Sequence, residues 1–139
     1  MKAILQRVTG ASVEVDGTVV GRIGTGLLVF VGIAKGDGEA DCRYLVEKLR
    51  TFRIFADEQG KMNRSLVDAG GAVLLVSQFT LLGSTTNGRR PSFDEAAPPE
   101  EAKRWYEQVA ADLRRQGQDQ RGQRIEHLPA REPGPGHDP

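Results

Sequence analysis

The chain has 139 residues, enough for one domain around a single core. Its 19 Lys and Arg balance 19 Asp and Glu, which argues against a protein that coats long nucleic acid by neutralising phosphates, but not against one that grips a short nucleic-acid end. The lone Cys42 cannot form an internal disulfide and the N-terminus lacks a charged-then-apolar signal pattern, so the cytoplasm is the expected compartment.

Lys2 to Val8 reads as a strand. Ser12 to Val15 alternates, Asp16-Gly17 supplies a hairpin turn, and Thr18 to Ile23 returns. Gly24-Thr25-Gly26 precedes a strand and not a helix, so it is a turn and not a phosphate loop. Leu27 to Ile33 is nearly continuous and apolar, the pattern of a buried central strand. Broken by Gly32, it falls well short of the ~20 residues that a bilayer requires, so no membrane partner is expected. Glu39 to Thr51 changes to helical spacing, with an acidic first turn that suits the helix dipole. Cys42 has no metal-ligand spacing around it and is expected to pack on a helix face.

Phe52 to Phe55 reads as a short strand, Asp57 to Gly60 as a turn, and Lys61 to Ser65 as irregular or extended chain. Ala72 to Leu82 is the second core strand, and Gly83 to Pro91 a polar loop. Pro98-Pro99-Glu100-Glu101 opens a helix whose apolar face carries Trp105, Val109 and Leu113. Gln116 to Pro139 is rich in Gln, Arg, Gly and Pro, with Ile125 and Leu128 its large aliphatics, and reads as a disordered tail. The division expected is a domain over 1–116 and a tail over 117–139. The element order gives an α+β fold with a mixed or antiparallel, barrel-like sheet and two main helices.

The polar triplet within Leu75-Val76-Ser77-Gln78-Phe79-Thr80-Leu81-Leu82 is the first candidate site. Two hydroxyls and an amide at the end of an apolar strand can build a small polar pocket on a rigid support. From periodicity alone, an edge strand bonding to solvent is an equal reading. Arg89-Arg90 can bind phosphate as charged donors or face solvent in a loop. Lys61 and Arg64 are read as surface charges.

Several motifs in order resemble the D-aminoacyl-tRNA deacylase family, formerly named for D-tyrosyl-tRNA. They are the opening Met-Lys-Ala-Ile-Leu-Gln-Arg-Val, Ala11-Ser12-Val13, Gly26-Leu27-Leu28-Val29, Arg53-Ile54-Phe55 and Lys61-Met62-Asn63-Arg64-Ser65. The most specific are Ser77-Gln78-Phe79-Thr80-Leu81 and Gly88-Arg89-Arg90-Pro91-Ser92-Phe93, followed by Ala96-Ala97-Pro98-Pro99. The resemblance covers Met1 to about Gln116. It implies a homodimer that hydrolyses the ester joining a D-amino acid to the 3′-terminal adenosine of tRNA, as a proofreading step in translation. Glycine mischarged on tRNA(Ala) is a further implied substrate. Neither metal nor organic cofactor is implied, and the partner is the aminoacyl-tRNA 3′ end, not DNA.

By the same resemblance Ser77, Gln78, Phe79 and Thr80 are the catalytic segment. The N–H groups of Phe79 and Thr80 form the oxyanion hole, which is what ester hydrolysis most needs. Gln78 orients the terminal ribose or ester. The Phe79 ring packs beside the terminal adenine or belongs to the core. Thr80 Oγ1 is the traditional nucleophile, but a hydroxyl needs a base, and His127 and His137 both lie in the expected tail. Attack by water, assisted by the 2′-hydroxyl of the substrate, is the reading preferred on chemical grounds. Arg89 and Arg90 are implied substrate-binding residues.

The C-terminus departs from the family pattern. Members continue with further strands to a segment of the type Leu-Val-Asn-x-Gly-Pro-Val-Thr-Ile, whose cis Gly-Pro carbonyls enter the partner subunit's site and exclude L side chains. Here Gly134-Pro135 is followed by Gly136-His137, so substrate binding by Gly134 and Pro135 is carried over with its neighbours changed. A one-base frame displacement after about Leu113 is the hypothesis offered for the difference: these residues can be encoded, for example as GGG CCC GGT CAC GAT CCC, so that reading from the second base gives Gly-Pro-Val-Thr-Ile. The coding nucleotides decide that point. Rival expectations are a protein that holds the acceptor end without turnover and an inactive, C-terminally altered copy.

Overall fold

The computed structural model describes residues 1–83, 92–118 and 124–129. Eight strands and three helices follow in the order β1 (Lys2–Val8), β2 (Ala11–Val15), β3 (Thr18–Ile23), β4 (Gly26–Gly32), α1 (Glu39–Thr51), β5 (Phe55–Ala56), β6 (Met62–Arg64), α2 (Leu66–Ala69), β7 (Ala72–Ser77), α3 (Pro99–Gln118) and β8 (Ile125–His127) among the described residues.

The main sheet has the order β1-β4-β7-β8. β1 is antiparallel to β4, while β4, β7 and β8 run parallel. The fold is thus α+β with a mixed sheet, as the element order implies. Among the described residues the four-stranded sheet has β1 and β8 as its outer strands, and no closed barrel is seen. The parallel pair β4 and β7 delivers two C-terminal ends to the same side of the molecule, which is where open parallel sheets present their ligand crevices.

The two sheet faces are covered differently. Val29, Val31, Val73, Leu75 and Ile125 face α1 and α3, where they join Cys42, Val46, Leu49, Tyr106, Val109 and Leu113 in the core. Leu74, pointing the other way, is also fully buried. It lies under the β2–β3 hairpin, where a Cβ built on Gly21 would meet Leu74 at 3.0 Å and Leu128 at 3.1 Å. The hairpin turns at Asp16 and Gly17, with φ of 52° and 80°. Both central residues take the left-handed conformation that an Asp-Gly hairpin turn needs.

Helix α1 forms where the periodicity places it, and Asp41 accepts from the Gly38 amide at 2.9 Å to close its first turn. Cys42, Val46 and Leu49 are its buried stripe, whereas Tyr44 is 68% exposed and lies beside the Lys48 ammonium. Burial of Cys42 accords with its reading as a packing residue, and its thiol donates to the Trp105 carbonyl at 3.6 Å.

Two local expectations are corrected, and two elements are added to them. The strand over Phe52 to Phe55 begins only at Phe55, because Phe52 ends α1 as its C-cap and Arg7 takes the Ile54 carbonyl at 2.8 Å. Lys61 to Ser65, expected as irregular or extended, is extended over Met62–Arg64, which the structure adds as a strand paired with β5. Helix α2 follows, capped by reciprocal bonds between Ser65 and Asp68, both at 3.1 Å. That Ser-x-x-Asp capping box was present in the sequence and went unread. Finally, part of the expected disordered tail is ordered. α3 runs to Gln118, and residues 125–127 form β8 on the edge of β7. Ile125 and Leu128 supply enough apolar surface to hold it, being only 7% and 9% exposed.

Candidate active site

β7 is apolar and buried as far as Leu75, and its side chains become half-exposed from Val76. The expected strand to Leu82 is corrected here. β7 stops at Ser77, Gln78 is extended (φ −143°, ψ 91°), and Phe79–Leu82 form one 3-10 turn. The Gln78 amide makes a last sheet bond to the Val31 carbonyl at 2.8 Å. The turn is then closed by Leu81 N–H to the Gln78 carbonyl at 3.3 Å and Gly83 N–H to the Thr80 carbonyl at 3.0 Å. The switch from sheet to turn puts the Thr80 side chain in solvent while Leu82 returns to the core.

Gly32, at the end of β4, lets this turn come close. A Cβ there would meet the Gln78 carbonyl at 3.0 Å and Leu81 Cβ at 3.2 Å. The segment over Phe93 to Ala97 forms an adjoining wall. Lys35 N–H donates to the Glu95 carbonyl and Ala97 N–H to the Ile33 carbonyl, both at 2.9 Å. Phe93 meets the half-buried Phe79 ring edge-on, with centroids 5.2 Å apart. Phe79 is therefore shared between the turn and this wall.

Ser77, Gln78, Phe79 and Thr80 are thus brought together at the C-terminal end of the β4–β7 pair. Within the group, Gln78 Nε2 donates to Thr80 Oγ1. That bond engages an oxygen lone pair of Thr80 with a donor, the opposite of what a base would do for a nucleophile. His127, counted at first within the tail, is ordered, but it lies on the α3 face of β8 and pairs through Nε2 with Glu107 Oε2 at 2.8 Å. Arg89, Arg90, Gly134 and Pro135 lie outside the described residues.

Sequence reasoning passed over Tyr106. It is fully buried on α3, and its hydroxyl lies within hydrogen-bond reach of the Leu75 carbonyl, at 2.9 Å, and of the Leu128 carbonyl, with one proton to share between them. Burial raises its pKa, so it is a neutral phenol at any ordinary pH. The available signal was chemical: a Tyr one residue from the apolar stripe of a helix buries a hydroxyl that must find partners.

Two surface clefts lie elsewhere. One of about 530 Å³ is lined by Asp57, Glu58, Gln59 and Arg64. The other, about 360 Å³ between α1 and α3, is lined by residues that already pair with each other, Glu39 with Arg43 at 2.8 Å and Asp112 with Arg115 at 2.9 Å. Among the described residues, no group of three or more His, Cys, Asp or Glu could hold a metal ion.

A family model described as D-Tyr-tRNA(Tyr) deacylase matches residues 4–127. A D-aminoacyl-tRNA deacylase of Heliobacterium modesticaldum is 60% identical over 117 residues, which are 84% of this chain and 78% of that protein. The protein of the same name from Geobacter sulfurreducens is 54% identical, over 84% of this chain and 77% of its own. Among solved structures, the c-Myc DNA Unwinding Element Binding Protein superposes with a TM-score of 0.82 at 38% identity, covering 91% of this chain and 83% of its own. A structure described as a probable eukaryotic D-amino acid tRNA deacylase gives 0.67 at 22% identity, covering 81% and 66%, a likeness of fold.

Proposed function

The chain belongs to the D-Tyr-tRNA(Tyr) deacylase family, and on that premise we infer that it hydrolyses the ester linking a D-amino acid to the 3′-terminal adenosine of tRNA. The observation that carries the reading is the polar turn Gln78-Phe79-Thr80 set on the end of a strand whose centre, Val73 to Leu75, is fully buried, with Gln78 bonded to Thr80. It is a fixed polar edge on a rigid support, which an acyl-transfer site requires.

In the proposed reaction, water oxygen adds to the ester carbonyl carbon and the carbonyl oxygen becomes an oxyanion. The backbone N–H groups of Phe79 and Thr80 are assigned to that oxygen. The bond to the ribose 3′ oxygen then breaks, and the 3′ oxygen takes up the proton that water gives up, with the substrate's 2′-hydroxyl assisting its passage. Gln78 orients the ribose or ester, and the Phe79 ring, exposed in part beside Phe93, offers a stacking surface for the terminal adenine. Thr80 Oγ1 is not the nucleophile in this scheme, because its partner is an amide donor. Arg89 and Arg90 are assigned to tRNA phosphate. Glycine mischarged on tRNA(Ala) is proposed as a second substrate, since a site that accepts an α-carbon by excluding L side chains also accepts one with none.

A homodimer is proposed as the working form. Its support is the uncovered outer surface, where Ile4 on edge strand β1 is 53% exposed and Val20 on β3 is 44% exposed. Among the described residues no helix is long and apolar enough to cross a membrane, and a cytoplasmic site of action is proposed from the substrate.

Hydrolysis of matched D- and L-tyrosyl-tRNA by protein of this sequence tests the reading. Release from the D ester alone is expected. Release from both would mean the oxyanion site works without the chiral filter of the Gly134-Pro135 region. Binding of tRNA without release of either would overturn the enzyme reading in favour of an acceptor-end binder or an inactive copy.

A further inference from the structure

We propose that Tyr106 is a positioning residue for this site: its hydroxyl ends the β7–β8 ladder and so fixes where the Gln78–Thr80 turn begins. The proposal rests on Ser77–Thr80 being the reacting segment. It names a residue that touches neither substrate nor turn side chains and acts through the backbone of β7.

The ladder itself shows why. In the parallel β7–β8 pair, Val73 N–H donates to the Arg124 carbonyl and Leu128 N–H to the Leu75 carbonyl, both at 3.0 Å. Continuing that register, the next rung would run from Ser77 N–H to the Leu128 carbonyl. The Tyr106 hydroxyl occupies that place. Its one proton is shared between the carbonyls of Leu75 and Leu128, and the register turns the Ser77 amide towards its oxygen. A hydroxyl can do this because it carries one donor and two acceptor sites.

Gln78 N–H, just past the end of β7, is fixed to Val31 of β4 at 2.8 Å, while the register turns Ser77 N–H the other way, towards the Tyr106 oxygen of α3. The next residue starts the 3-10 turn. Tyr106 is 0% exposed, with its ring against His127 at 5.8 Å between centroids, so the hydroxyl has no freedom to leave. One buried oxygen on α3 thus couples the helix layer, the edge strand β8 and the end of the site-bearing strand.

Tyr106→Phe keeps the ring and removes that oxygen. The measurements are backbone amide hydrogen exchange at Ser77, Leu75 and Val73, with steady-state deacylation of D-tyrosyl-tRNA. Leu113→Ala, a cavity on the same buried helix face, is the control for a merely structural loss. In the wild type, Ser77 N–H is expected to be protected like Leu75 N–H, although its side chain is half-exposed. In Tyr106→Phe, Ser77 exchange relative to Val73 should rise by about tenfold or more, and kcat should fall about tenfold with KM little changed. Leu113→Ala should speed exchange at all three amides together and leave kcat of the folded protein intact.

A wild-type Ser77 amide that exchanges like an exposed one overturns the proposal, whatever the variant does. So does a Tyr106→Phe protein that keeps Ser77 protection and kcat, or that changes them only as Leu113→Ala does. Should wild-type protein release no D-tyrosine, the deacylase reading fails by itself, and the Ser77 exchange comparison still decides the role of Tyr106.

Discussion

The two halves of the stretch from Val73 to Thr80 are held in different ways. Val73, Leu74 and Leu75 are 0% exposed, packed by helices on one face and by the β2–β3 hairpin on the other. Ser77 to Thr80 are half-buried or exposed and are held by directed hydrogen bonds, from the Gln78 amide to the Val31 carbonyl and within the turn itself. Packing energy scales with buried area and is insensitive to direction, whereas hydrogen bonds fix direction. The first half therefore sets stability and the second sets geometry. Perturbing each should give separable results.

The largest effect is expected in the packed half. Leu75→Ala leaves a cavity between β7 and the helices and should cost about 2–5 kcal/mol. Chemical denaturation would show this as a lower midpoint with unchanged slope. The fraction that remains folded should keep its deacylation rate, because the Gln78 amide retains its partner. Equal loss of rate per folded molecule would break the separation.

Changes in the hydrogen-bonded half should act on rate. Gly32→Ala places a methyl 3.0 Å from the Gln78 carbonyl, where backbone must yield by a few tenths of an ångström. Deacylation of D-tyrosyl-tRNA should fall by about ten- to a hundredfold through misplacement of the turn, with a melting temperature near that of the wild type. Thr80→Ala removes a side chain but keeps the backbone amide assigned to the oxyanion. Its kcat should stay within about tenfold of wild type, whereas loss of a true nucleophile would cost about a thousandfold or more.

The smallest effect concerns a group on α1, in the core against which the packed half is buried. Burial, with smaller contributions from Asp112 and Asp41, pushes the Cys42 thiol up to about 11 from its ordinary 9.0. Alkylation at about pH 8 should therefore be negligible in the native protein and rapid once it is denatured. The sign of the pH effect follows: a raised folded pKa favours the neutral thiol, so its contribution to stability is complete below about 9 and fades as pH rises towards 11. Native-state alkylation as fast as that of the unfolded chain would mean that the α1–α3 contact is not closed.

Much of this was legible because local rules and global packing agree. β1 to β4 follow period-two or continuous apolar patterns, α1 follows the helical period, and Asp16-Gly17 marks its own turn. The motif Ser77-Gln78-Phe79-Thr80 pointed to the site. The sequence misled where an apolar pattern continued through a change of backbone conformation. Phe79, Leu81 and Leu82 suit a strand as well as a turn, and only the approach permitted by Gly32 and the bond from Gln78 to Val31 decides between them. Composition made residues 124–128 look unable to fold. Two aliphatics were enough, because β7 offered an open edge and Tyr106 a partner for the Leu128 carbonyl.

By itself, then, the sequence determined the family, the α+β order of elements and the segment to which the chemistry is assigned as a proposal. These follow from residue types and spacings that each act over a few positions. Tertiary structure alone decided that β4, β7 and β8 run parallel, that β8 pairs on the edge of β7, and that a buried tyrosine thirty-one residues from Leu75 bonds to the carbonyl of that residue in β7. The partners in that last contact come from α3 and β7. No local pattern records it, because a hydrogen bond depends on distance in space and not on separation along the chain.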